Sequence, residues 1–344
     1  MPDAERSART RPRLRRIVAA IVGIGILTGI AACAPTGSQS EFVESDQPPV
    51  YPQLSTNPDV PVIENIAYSQ RGGEVQHLDA CFPGDAAIDD PAAQPRAAIV
   101  VVHGGSWRRG DKANLNWRAV CQWLATAGYV TISINYRLAP AWSFPSQLDD
   151  VQDAVRWLRD PSVVDRYNID PDRIGAFGGS AGGNLVSLLG TVGTGDRSDV
   201  ARVSSVVELS GPADLTAAIA TTGGNDVDFG QVQLEYLGCA TWDDCSTAEK
   251  ASPGSYADAS DPPFFVAHSI DEYIPLAQSE HFVETLRDAG VDVEFVTVEG
   301  TAHSIAMLDE DMQERILNFF ARTLSALDPG EQPDTNAESD QPAD

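Results

Sequence analysis

The chain has 344 residues, with 23 Lys+Arg against 50 Asp+Glu and a formal net charge of -27, so it is long enough for one large domain and its tails. A surface this acidic, without a basic patch, repels polyanions and excludes nucleic acid as a partner. With 42% hydrophobic residues and 21% charged, the composition is globular, which excludes wholesale disorder or a fibrous repeat.

The N-terminal segment carries six arginines (Arg6, Arg9, Arg11, Arg13, Arg15, Arg16) followed at once by an apolar run over 17–30. This is the layout of a signal peptide, and the run is shorter than the roughly 20 residues a spanning helix needs. Residues 33–61, rich in Ser, Pro, Gln, Asp and Glu, read as a flexible tether. At the other end, 328–344 reads as a disordered acidic tail without an apolar period.

From 62 to 327 short apolar, β-branched runs alternate with segments of helical period. Runs 63–68 and 75–81 predict an antiparallel edge. Runs 97–102, 129–134, 173–177, 203–209, 264–267 and 293–298 predict buried strands, and 116–127, 148–159, 182–189, 276–289 and 312–324 predict helices between and after them. In 148–159 the apolar residues Leu148, Val151, Ala154, Val155, Trp157 and Leu158 recur at helical spacing, with Asp149, Asp150 and Asp153 assigned mainly to the opposite, solvated face. Alternation of this kind predicts an α/β fold, a mostly parallel doubly wound sheet with helices on both faces. The segment 211–262 is longer than one crossover helix requires and predicts a small cap or rim insertion.

In such sheets the reactive groups lie at the carboxyl ends of the strands. After the third central run stands Gly178-Gly179-Ser180-Ala181-Gly182-Gly183, a G-x-S-x-G turn between strand and helix that places Ser180 at a helix N-terminus, where developing negative charge is favoured. After the first stands His103-Gly104-Gly105-Ser106-Trp107, whose glycines allow backbone N–H groups to face inward. The expected oxyanion donors are Gly105, Ser106 and Ala181.

These two motifs, with Asn135-Tyr136-Arg137-Leu138-Ala139-Pro140 and two late segments, resemble the α/β-hydrolase-fold esterases of the HGG type, the branch similar to hormone-sensitive lipase and to feruloyl and acetylxylan esterases. The resemblance runs from about residue 97 to 327 and implies the triad order Ser, Asp/Glu, His. Counting back four from Pro275 selects Asp271 as the acid; the segment has Ser269 where the family has glycine and one residue fewer before the acid, so Glu272 stays open as the alternative. His303, after the last predicted strand, is the expected base, since His77, His103, His268 and His281 fall in the wrong places. Gly179 stands where the family commonly has an acidic residue.

The resemblance implies hydrolysis of short-chain carboxylic esters, including acetyl or feruloyl esters on carbohydrate, through an acyl-enzyme, with no metal and no organic cofactor. Arylformamide hydrolysis and a non-catalytic surface lipoprotein are the alternatives. Asp228-Phe229-Gly230 matches a kinase motif by letters alone. Ile30-Ala31-Ala32-Cys33 resembles the lipobox of bacterial lipoproteins, which implies cleavage after residue 32, lipidation of Cys33 and an extracytoplasmic, membrane-anchored protein. Four cysteines then remain, Cys81, Cys121, Cys239 and Cys245, with three possible pairings in an oxidising compartment. The short Cys239–Cys245 loop could close, which would leave Cys81 with Cys121, but the sequence leaves the three pairings open.

Overall fold

The computed structural model describes residues 54–84, 94–196, 201–216 and 227–325. The signal segment, Cys33 and the C-terminal tail lie outside the described residues. The described part is an eight-stranded sheet in the order β1-β2-β4-β3-β5-β6-β7-β8. Its strands are β1 (Val62–Arg71), β2 (Glu74–Cys81), β3 (Arg96–Val102), β4 (Val130–Ile134), β5 (Ile169–Gly179), β6 (Ser205–Leu209), β7 (Phe264–Ser269) and β8 (Val293–Val298). As expected, β1 pairs antiparallel with β2 and β2 with β4, whereas β3 to β8 are parallel.

The central strands are apolar on both faces because helices cover both. Ala98 to Val102 are all at 0% exposure, and each buried Val or Ile side chain contributes roughly 1.5–3 kcal/mol. One layer holds α2 (Ser146–Leu158), α3 (Pro161–Tyr167), α4 (Ala181–Thr191) and α7 (Leu276–Asp288); the other holds α1 (Leu115–Thr126) and α8 (Glu310–Thr323). Between β6 and β7, α5 (Val227–Leu237), α6 (Thr247–Lys250) and two 3₁₀ turns (Trp242–Asp244 and Pro253–Tyr256) make up the described part of the expected insertion. Disulfides join Cys81 to Cys121, tying β2 to α1, and Cys239 to Cys245 at the end of α5.

Two expectations are corrected. Residues 54–61, read as the end of the tether, are seated on α1. The Asn57 N–H donates to Gln122 Oε1 at 2.9 Å, the Gln122 amide donates back to the Asn57 carbonyl at 2.8 Å, and Val60 is buried. Asp150, assigned to the solvated face of its helix, is fully buried. Arg137 reaches it from the loop after β4, with Nε 2.9 Å from Oδ2 and the Arg137 backbone N–H at 2.8 Å. Removing either partner would leave a buried charge uncompensated, at a cost of about 3–5 kcal/mol.

Candidate active site

Ser180 sits at the sharp turn from β5 into α4 with φ 57° and ψ -126°, a conformation that a non-glycine residue adopts only when its surroundings enforce it. The enforcement is visible on both sides. The Ser180 N–H donates to the Leu209 carbonyl at 2.8 Å and the Ser180 carbonyl accepts from Asn184 N at 3.1 Å. Close packing explains the glycine two positions on, because a Cβ at Gly182 would overlap the Val102 carbonyl. Gly179 has its own cause: a Cβ there would run into Ser304 Oγ, the residue after His303, so the space beside the serine is filled from another strand end.

The turn after β3 is built around a histidine that cannot act as a base. His103 is buried, its Nδ1 lies 2.9 Å from the Gly104 carbonyl, and its ring stacks on Tyr136 with centroids 4.4 Å apart. Burial pushes its pKa down to about 4, so it stays neutral and spends its N–H on holding the turn. Tyr136 Oη donates to the His103 carbonyl at 2.9 Å, which gives the Tyr-Arg-Leu-Ala-Pro segment a second structural duty beside the Arg137–Asp150 pair. Gly105, Ser106 and Trp107 all have positive φ (130°, 54° and 55°), and their carbonyls and N–H groups turn tightly as a result. Among the described residues no acceptor takes the N–H of Gly105, Ser106 or Ala181. Trp107, fully buried, lies flat on Tyr236 of α5, centroids 4.1 Å apart and 4° from parallel.

His303 follows β8 and precedes a 3₁₀ turn (Ser304–Met307). The structure brings Glu272, not Asp271, to it: Glu272 Oε2 lies against His303 Nδ1. The expectation of Asp271 is thereby corrected, and the reason is in the backbone. Ile270 N and Asp271 N still pair with the β8 side, donating to Val298 and Gly300 carbonyls at 2.9 Å each, and this places the Asp271 side chain in solvent. The next residue turns inward, and the Glu272 side chain is at 0% exposure. Its other oxygen lies 3.3 Å from His268 Nε2, a ring that also bonds the Ile274 carbonyl at 2.8 Å and Ser279 Oγ at 2.7 Å and whose pKa burial lowers. His268 therefore serves as a fixed buried post beside the acid.

One residue of the site had no signal in the sequence. Tyr273 Oη lies 2.7 Å from His303 Nε2, and its pKa is raised by burial and lowered by the neighbouring Ser180 side chain. Glu272, His303 and Tyr273 thus form one chain of polar groups, with Ser180 beside its phenol end. A cavity of about 220 Å³ between α7 and the 253–256 turn, lined by Asp214, Gln278 and His281, contains none of them; the chain of polar groups, not the cavity, marks the chemistry.

The model of the BD-FAE family matches residues 85–286. The chain belongs to the BD-FAE family. Among individual proteins, this BD-FAE chain is 32% identical over 232 residues to esterase LipC of Mycobacterium tuberculosis, covering 64% of this chain and 56% of LipC. It is 42% identical over 95 residues to arylacetamide deacetylase of Bos taurus, 27% of this chain and 24% of that protein. The chain thus spans about half or less of the curated relatives it matches. In fold, a truncated carbohydrate esterase from gut microbiota superposes with a TM-score of 0.68 at 24% identity, covering 79% of this chain and 100% of the other. A thermophilic esterase of Thermogutta terrifontis superposes with a TM-score of 0.61 at 23% identity, covering 80% and 96%. The architecture is that of an α/β-hydrolase.

Proposed function

We propose that this BD-FAE protein is a serine esterase that cleaves short-chain carboxylic esters, with acetyl or feruloyl groups on carbohydrate as its substrate class. The observation that carries the reading is the His303 imidazole held at Nδ1 by the Glu272 carboxylate, with its Nε2 side turned to the phenol that neighbours Ser180. Esterases among the relatives and a carbohydrate esterase among the fold neighbours support the choice of substrate.

In this mechanism Ser180 Oγ attacks the ester carbonyl while His303 Nε2 takes its proton. Glu272 holds the Nδ1–H tautomer and stabilises the imidazolium. The oxyanion lies among the N–H groups of Gly105, Ser106 and Ala181, the donors left without protein acceptors, and loss of one such donor lowers the rate by about 10²–10³. His303 then returns the proton to the departing alcohol, and water repeats the cycle on the acyl-enzyme. Cys33 is proposed as the lipidated N-terminus that holds the enzyme outside the cytoplasmic membrane; mass spectrometry of the mature N-terminal peptide decides this.

The test is hydrolysis of p-nitrophenyl acetate, butyrate and octanoate beside Ser180→Ala. Serine-dependent turnover that falls with chain length supports the reading, followed by acetate release from acetylated xylan. Equal rates in the two proteins overturn it.

A further inference from the structure

Tyr273 follows the residue that contacts His303, yet nothing in the reaction just described uses it. Its ring lies against the imidazole with centroids 4.4 Å apart, and its other edge meets Phe229 of α5 at 5.9 Å and 86°. It is 49% exposed, so little packing opposes its movement. Its hydroxyl lies 2.7 Å from His303 Nε2, and the Ser180 side chain neighbours it.

With Nδ1–H turned to Glu272, Nε2 of the resting enzyme is a hydrogen-bond acceptor with one lone pair. Either the serine or the phenol can donate to it, not both in full. In acyl transfer the departing alcohol oxygen must lie within hydrogen-bond distance of Nε2, from which it receives its proton, and next to the carbon bonded to Ser180 Oγ. The Tyr273 oxygen meets the first condition at 2.7 Å and neighbours the Ser180 side chain, as the second requires.

We propose that Tyr273 is a gate over the leaving-group subsite, its phenol oxygen standing in the free enzyme where the ester's alcohol oxygen stands during turnover. This rests on the esterase reading. Tyrosine and substrate then compete for one place, and an ester must displace the ring before Ser180 can donate to His303. Binding is weakened by the fraction of enzyme in which the gate is shut. A net hydrogen bond of ordinary strength corresponds to about a fivefold penalty. Once the ester is in place the phenol is out, so the penalty falls on KM and not on kcat.

The experiment compares wild type, Tyr273→Phe and Tyr273→Ala on p-nitrophenyl butyrate, alongside the second-order rate at which a fluorophosphonate labels Ser180. The expected result is that Tyr273→Phe keeps kcat, lowers KM about fivefold and is labelled faster by the same factor. Free phenol should inhibit Tyr273→Ala competitively and wild type more weakly, because the subsite is already filled in the latter. A fall in kcat for Tyr273→Phe would mean that the hydroxyl acts in the transition state, and unchanged KM and labelling rates would mean that the contact has no energetic weight; either overturns the gate. Absence of Ser180-dependent turnover and labelling in wild type would overturn the esterase reading, and the gate with it.

Discussion

The Glu272 carboxylate is buried against His303 Nδ1, and Asp271 beside it pairs through its backbone N–H with the Gly300 carbonyl and leaves its side chain in solvent. The two acids are separated by one peptide unit and have opposite environments. Glu272→Gln should lower kcat about 10³–10⁴-fold with the fold intact, because an amide can neither fix the productive tautomer nor stabilise an imidazolium. Asp271→Asn should change kcat by no more than about twofold. Steady-state kinetics on both variants, with circular dichroism to check folding, decides between them.

Gly179 meets Ser304 across the site. Gly179→Asp should therefore impair this protein: the new side chain pushes on Ser304 and, through the chain, on His303. The expected outcome is a drop of at least about tenfold in kcat, partly recovered in Gly179→Asp/Ser304→Gly, where the obstructing oxygen is gone. A double variant no better than the single would contradict it.

Glu208, at 2% exposure on β6, accepts from Gly211 N and has its carboxyl pushed up to about 8, first by burial and then by the Glu272 charge. Because the folded value is raised, the native protein holds this proton where the unfolded chain has released it. The associated stability is fully present below about pH 4.5 and declines as pH rises towards about 8. Glu208→Gln keeps the acceptor and removes the titration. Melting temperatures recorded from pH 4 to 9 should show the variant losing less stability than wild type across that window.

The two disulfides close loops of very different length, with sequence separations of 40 and 6. On loop-closure entropy, replacing the Cys81–Cys121 pair by alanine should cost about 4 kcal/mol and replacing Cys239–Cys245 about 2 kcal/mol. Guanidinium unfolding of the two double variants measures the difference, and a larger loss from the short loop would go against it.

The sheet was legible because its central strands are β-branched and buried on both faces, so β3 and β6 announce themselves without any partner being known. Ser180 and His303 were legible because strand ends and chain order fix them. Asp150 was misread because periodicity places it with Asp149 and Asp153, while its partner Arg137 comes from an irregular loop that no period describes. The carboxylate that faces His303 lies one position later than expected because counting from Pro275 ignores whether the residues after β7 continue to pair. Tyr273 could not be found at all: a single aromatic residue in a loop has neither period nor motif, and only the folded chain brings it to His303.

The flat stack of Trp107 on Tyr236 fastens the turn that carries Gly105 and Ser106 to the helix that forms the rim. On the proposed mechanism, exchanging α5 to admit bulkier esters would consequently carry a penalty in turnover, since that helix braces the turn whose amides are proposed to bind the oxyanion. Grafts that retain Tyr236 keep that brace; those that discard it must supply another aromatic face for the indole.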